Sequence, residues 1–146
     1  MADFDLRDFV RESNRIEGIF KTTDAHLAAH TRFLSFPVTP KTLIDLVGVL
    51  QPDARFRDAV GVPGVRVAEH VAPPSGPHIR SDLERILTIR DPWEQHVAYE
   101  TLHPFTDGNG RSGRALWLHR FGGRAPIGFL HSWYYQTLSR VRLGEE

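Results

Sequence analysis

Leu6, Phe9, Val10, Ile16 and Phe20 recur at the spacing of one helical face, so residues 3–20 read as an amphipathic helix whose end is blurred by Gly18. Residues 24–34, opened by Asp24 as N-cap and closed before Pro37, predict a second helix. Thr39-Pro40 then supplies a cap followed by proline at the first helical position, and Leu43, Leu46, Val47 and Leu50 form the most regular apolar stripe in the chain. From residue 52 to residue 77 the pattern changes: Val60, Val62, Val65, Val67 and Val71 are interrupted by Gly61, Pro63, Gly64, Pro73, Pro74 and Gly76. Short strands joined by turns fit that alternation, with a β-hairpin around residues 55–72. Ser81 is placed to cap a helix carrying Leu83, Ile86 and Leu87, and Asp91-Pro92 opens another that carries Trp93, Val97 and Ala98 into His103. Residues 111–121 are apolar on most sides at Ala115, Leu116, Trp117 and Leu118, which predicts a helix buried in the middle of the fold and ended by Gly122-Gly123. A last helix over residues 132–143 would turn Trp133, Tyr134, Thr137, Leu138 and Val141 toward the core. No repeat or linker divides the chain, so the expectation is one mainly α domain over residues 1–146 with a single hairpin.

Composition narrows the partners. The chain has 146 residues, 18 Lys and Arg against 18 Asp and Glu, and no cysteine. A balanced charge lacks the basic footprint of a nucleic-acid binder. The absence of cysteine excludes disulfides, thiolate zinc sites and thiol nucleophiles. No apolar run is long enough to span a bilayer, and the N-terminus is acidic and amphipathic where a signal peptide is basic and then apolar. A cytoplasmic protein with neither nucleic acid nor membrane as partner is expected.

The chemistry concentrates in His103-Pro104-Phe105-Thr106-Asp107-Gly108-Asn109-Gly110-Arg111-Ser112-Gly113-Arg114. Gly108-Asn109-Gly110 ahead of a helix offers small residues whose backbone N–H groups can converge on an anion at the helix N-terminus. Arg111 and Arg114 lie in the first turn, where the positive end of the dipole disfavours cations unless an anion compensates, so a polyphosphate ligand is expected. Asp107 is an oxygen ligand of the kind that holds Mg²⁺ beside substrate phosphates. His103 is the nearby group whose ordinary pKa suits a general base. Phe105, an aromatic between polar positions, is assigned to anchoring the loop in the core.

The segment resembles the motif of the Fic family, in which histidine, phenylalanine, an acidic residue, Gly-Asn-Gly-Arg and a final arginine occur at these intervals. The similarity extends over nearly the whole chain, including the valine-rich hairpin before Pro73-Pro74 and a Tyr134-Tyr135 helix after the motif. It implies a Fic fold, a helical bundle around a central motif-bearing helix with a β-hairpin flap. It also implies transfer of AMP from ATP to a Ser, Thr or Tyr hydroxyl of a target protein. By the same resemblance His103 is the base, Asp107 the Mg²⁺ ligand, Asn109 with the Gly108 and Gly110 amides the phosphate cradle, and Arg111 and Arg114 the holders of the outer phosphates. The hairpin residues Val65, Arg66, Val67, Ala68, Glu69, His70 and Val71 would form the flap that pairs with an extended target segment. The alternative for these residues is an ordinary edge hairpin covering the core.

Ser13 and Glu17 fall within the apolar arc of the first helix, where a carboxylate is costly unless it meets a cation. Otherwise the helix end frays beside Gly18 and Glu17 reaches solvent. Ser13-Asn14-Arg15-Ile16-Glu17-Gly18 resembles the Ser/Thr-x-x-x-Glu-Gly/Asn inhibitory motif of Fic proteins, which implies that Glu17 pairs with Arg114 and silences the enzyme. Other outcomes remain open within the same resemblance: transfer of a different phosphorus group, removal of AMP with Glu17 positioning water, or a non-catalytic regulatory binding module. A homo-oligomer is a further possible state. His26 and His30 stand at metal-ligand spacing, but nothing in the sequence supplies the rest of a zinc site.

Overall fold

The structure is a computed structural model that describes residues 4–67 and 69–124. Ala68 and the helix expected over residues 132–143 lie outside the described residues. The described chain runs α1 (Leu6–Ile16), α2 (Asp24–Leu34), α3 (Pro40–Leu50), β1 (Arg66–Val67), β2 (His70–Val71), α4 (His78–Ile86), α5 (Pro92–Leu102) and α6 (Asn109–Arg120). It is the mainly helical arrangement with one small hairpin that the pattern predicts.

Local chemistry explains most boundaries. Asp5 caps α1 by accepting from the Arg7 amide at 2.9 Å. Thr39 caps α3, its hydroxyl taking the Thr42 amide at 3.2 Å while the Thr42 hydroxyl takes the Thr39 amide at 3.0 Å. Asp91 caps α5 through the Glu94 amide at 2.8 Å, with Pro92 at the first helical position as expected.

Four boundaries differ from the expectation. The first helix stops at Ile16 instead of running to residue 20, and Phe20 stands 80% exposed beyond it. In α2 the cap is Thr23, not Asp24, because the Thr23 hydroxyl reaches the His26 amide at 3.1 Å. The fourth helix begins at His78, so Ser81 lies inside it and returns its hydroxyl to the His78 carbonyl at 3.1 Å. The motif helix starts at Asn109, two residues before the expected start at Arg111.

The 55–72 hairpin is also smaller than expected. Among the described residues, Arg66 opposite Val71 and Val67 opposite His70 are the pairs that form strands. The segment before them takes another partner: Phe56 forms an antiparallel bridge with Phe105, flanked by Thr106 N–H to the Arg55 carbonyl and Arg57 N–H to the Pro104 carbonyl, both at 2.9 Å. A two-residue bridge to a distant loop leaves no periodic signal in the sequence, whereas alternating valines do.

The core decides where the motif helix sits. Phe33, Leu43, Leu46, Leu50, Ile79, Leu83, Tyr99, Leu102, Phe105, Ala115 and Leu116 bury against one another. On the other flank of α6, Phe9 packs with Trp117 and Leu118. Every residue of α6 from Arg111 to Leu118 is buried, so the helix is central, as its apolar circumference predicts. No helix among the described residues is long and apolar enough to cross a membrane.

Candidate active site

His103 ends α5 in the left-handed region with φ 49°, the only described non-glycine residue at positive φ. A β-carbon makes that conformation costly, and it persists only where surroundings hold it. Its ring Nδ1 donates to the Glu100 carbonyl. A carbonyl only accepts, so in the neutral ring Nδ1 carries the proton and Nε2 the lone pair. Phe105 is buried and packs on Phe56 with ring centroids 5.3 Å apart, the anchoring role expected of it.

The loop from His103 closes through Asn109. Its side-chain oxygen accepts the Phe105 amide at 3.0 Å and its nitrogen donates to the Phe105 carbonyl at 2.7 Å. The Asn109 side chain is thus a brace within the loop. Gly108, at φ 82°, is the N-cap of α6, and the helix takes no side-chain cap among the described residues. The first-turn amides therefore lack intrahelical acceptors and define the anion-seeking end of α6. Asp107 is exposed, and its Oδ1 accepts the Gly108 amide at 2.8 Å. No three His, Cys, Asp or Glu residues gather as a metal site among the described residues. A Mg²⁺ ion would have Asp107 as its single carboxylate here and would need water and phosphate oxygens for the rest of its shell.

The two arginines are not equivalent. Arg111 is buried and gives Nη2 to the Leu50 carbonyl at 3.0 Å and to Gln51 Oε1 at 2.9 Å, with Nη1 on Asn14 Oδ1 at 3.3 Å. The acceptors it meets include the last carbonyl of α3, at the negative end of that helix dipole. Burial depresses its pKa from the ordinary value, with Glu17 opposing, Arg114 adding and Asp107 opposing.

Arg114, only 2% exposed, faces α1. Its Nε donates to Ser13 Oγ at 2.9 Å, and Nη2 donates to the Ser13 carbonyl at 2.9 Å and to Glu17 Oε2 at 2.8 Å. Glu17 is the C-cap of α1, so the helix end both releases it from the apolar arc and aims it at α6. Its side chain is 39% exposed. The two sequence alternatives for Glu17 thus coexist: the carboxylate is paired and also reaches solvent.

The flap lies beside the histidine. The His70 ring stands 5.8 Å from the His103 ring, centroid to centroid, and its Nε2 donates to the Thr101 carbonyl at 2.8 Å. Among the other flap residues, Arg66, Val67 and Val71 are in the strands, Val65 accepts the Ala72 amide at 3.0 Å, and Glu69 is in the turn. His26 and His30 serve the α2 end of the bundle: His26 takes part in the Thr23 cap, and His30 Nδ1 donates to the His26 carbonyl at 2.9 Å.

Three contributors went unread in the sequence. Arg57 is fully buried against the loop after α5. Asn14 joins α1 to Arg111, and the Tyr99 hydroxyl meets Ser112 Oγ at 2.7 Å beneath the loop, with Ser112 donating to the Gly108 carbonyl at 2.8 Å. Burial raises the Tyr99 pKa, which keeps that hydroxyl protonated. Periodicity marks Tyr99 as core at most, and nothing local distinguishes Arg57 from a surface charge.

The sequence profile of the Fic/DOC family matches residues 37–119, which spans α3 through the motif helix and more than half of the chain. No curated protein matches the chain. The chain therefore belongs to the Fic/DOC family, whose members are typically transferases.

Proposed function

We propose that the protein transfers AMP from ATP to a Ser, Thr or Tyr hydroxyl of a target protein, and that Glu17 holds it idle. The observation that carries this reading is the environment of His103: with Nδ1 committed to the Glu100 carbonyl, Nε2 is the basic nitrogen, at one end of a loop whose other end is the uncapped start of α6. In the reaction the hydroxyl oxygen bonds to the α-phosphorus, the bond from that phosphorus to the bridging oxygen breaks, and pyrophosphate leaves. The hydroxyl proton passes to His103 Nε2. The first-turn amides and Arg114 receive phosphate oxygens, and preorganised donors of this kind supply much of the stabilisation in phosphoryl-type transfer. Mg²⁺ at Asp107 would neutralise phosphate charge. The flap beside His103 supports docking of the target by strand addition.

Autoinhibition follows from competition for one guanidinium. While Glu17 and Ser13 occupy Arg114, the terminal phosphate has no such partner, and the α-phosphorus sits out of line with the hydroxyl. The test is self-labelling of purified protein with ATP and Mg²⁺. Glu17→Gly should label above the parent by on the order of 100-fold, the scale of a misaligned reacting group. His103→Ala in that background should remove the signal. Label carried on the α-phosphorus reads as AMP transfer, whereas label incorporated only from the γ-phosphorus would replace this reading with phosphate transfer. Equal labelling of Glu17→Gly and parent would end the inhibitory role.

A further inference from the structure

Arg57 is 0% exposed, in a stretch where the sequence predicts short strands joined by turns. Removing a guanidinium from water is costly, and every acceptor it meets is neutral. Nε donates to the His103 carbonyl at 2.7 Å, Nη2 to the Leu102 carbonyl at 2.8 Å, and Nη1 to the Pro73 carbonyl at 2.8 Å and Ser75 Oγ at 3.1 Å. Desolvation lowers its pKa from the ordinary arginine value. A buried cation so completely bonded to backbone is a fixed point to which other parts are tied.

Two of those parts belong to the site. Leu102 and His103 are the last residue and the C-cap of α5, and their carbonyls are among the orphan acceptors of a helix end, at its negative pole. His103 is also the residue held at φ 49°. The main chain of residue 57 reinforces the attachment, with its amide on the Pro104 carbonyl at 2.9 Å. The third part is the return of the flap: Pro73 and Ser75 follow β2 directly, and the Gly76 amide bonds the Arg57 carbonyl at 3.0 Å. A planar fork can reach three carbonyls and a hydroxyl in fixed directions, which an ammonium cannot.

We infer that Arg57 is the positioning residue of this site, holding His103 in its left-handed turn and anchoring the foot of the flap to the same point. The inference rests on the AMP-transfer reading only for its kinetic test. In the Glu17→Gly background, Arg57→Lys should lower kcat for self-labelling by on the order of 100-fold, the cost of a small misplacement of the base, while KM for ATP moves less than about three-fold. Arg57→Ala should lose the same rate and regain part of it when guanidinium ion is added at non-denaturing concentration, and His103→Ala should show no such rescue. The second measurement needs no turnover. ¹⁵N NMR of the histidine rings should show His103 as the Nδ1–H tautomer in the parent and as a mixture of tautomers in Arg57→Lys. A His103 signal unchanged in Arg57→Lys overturns the inference whether or not the chain transfers AMP. If Arg57→Ala does not fold, Arg57→Lys carries both measurements, and a parallel rise in KM with unaltered kcat also overturns it.

Discussion

Glu17 occupies the space that a side chain on residue 110 would need. A Cβ built on Gly110 would lie 2.3 Å from Glu17 Oε2 and 3.1 Å from Arg114 Nη1. The carboxylate therefore packs on the first turn of α6 itself, directly over backbone that the proposed nucleotide site requires to be open. The absence of a side chain at 110 serves both the present ion pair and the proposed ligand.

Gly110→Ala should break the Glu17 contact at little structural cost. The obstructing atoms are the ends of flexible side chains, and the 39% exposed Glu17 has solvent to swing into. Alanine is favoured over glycine in a helix by about 1 kcal/mol, which offsets the lost pairing. Thermal unfolding should shift little or upward. Unlike Glu17→Gly, this variant should not gain self-labelling, because the new methyl stands where the phosphate would approach. Calorimetric titration should show weakened ATP binding.

Gly113→Ala should behave in the opposite way. A Cβ there would lie 2.4 Å from Glu100 Oε2 and 3.2 Å from Tyr99 Cδ1. The Glu100 side chain is 1% exposed and 4.0 Å from His96 Nε2, so it has no solvent to move into. Overpacking of this kind costs about 1–3 kcal/mol. A urea titration should show the midpoint fall while that of Gly110→Ala holds.

The residues preceding Glu17 divide their contacts between two arginines. Ser13→Ala removes the acceptor for Arg114 Nε but leaves the Ser13 carbonyl on Nη2, so labelling should rise by less than in Glu17→Gly. Asn14→Ala should act mainly on stability. It is fully buried, bonds Arg111 through Oδ1 and gives Nδ2 to Thr22 Oγ1 at 3.3 Å. Leaving these partners unmatched costs about 1–3 kcal/mol, readable as a lowered urea midpoint.

Acid should destabilise the bundle through His30. Burial, offset in part by its bond to the His26 carbonyl and assisted by Arg111, His26 and Arg114, lowers its pKa to about 4 from 6.5. The folded pKa lies below the unfolded one, so between these values the unfolded chain binds the extra proton and stability rises with pH. The contribution is fully present above pH 6.5 and is lost as pH falls toward 4, by on the order of 3 kcal/mol. His30→Gln should flatten the dependence of unfolding free energy on pH across that window. An unchanged slope would assign the acid sensitivity to other groups.

Much of the framework is legible in the sequence because its causes are local. Thr39-Pro40 and Asp91-Pro92 set helix starts through capping bonds three residues long, and the apolar circumference of residues 115–118 places α6 at the centre. The order of His103, Asp107, Gly108 and Arg114 likewise identifies a loop running into a helix N-terminus, since that geometry is written within a dozen residues.

Tertiary structure decided the partners. Arg111 and Arg114 look alike in the motif, yet one is drawn to the α3 carbonyl end and the other to Ser13 and Glu17, a choice made by which helix packs against each side of α6. Closure of the loop turns the Asn109 side chain onto the Phe105 backbone, a contact the motif by itself does not spell out. Nothing local singles out Arg57, and the meeting of residues 55–57 with residues 104–106 buries it against the His103 carbonyl. Local sequence determines which donors and acceptors a segment offers. Which of them meet depends on contacts between residues as distant as Glu17 and Arg114, and those are set by the packing of the whole bundle.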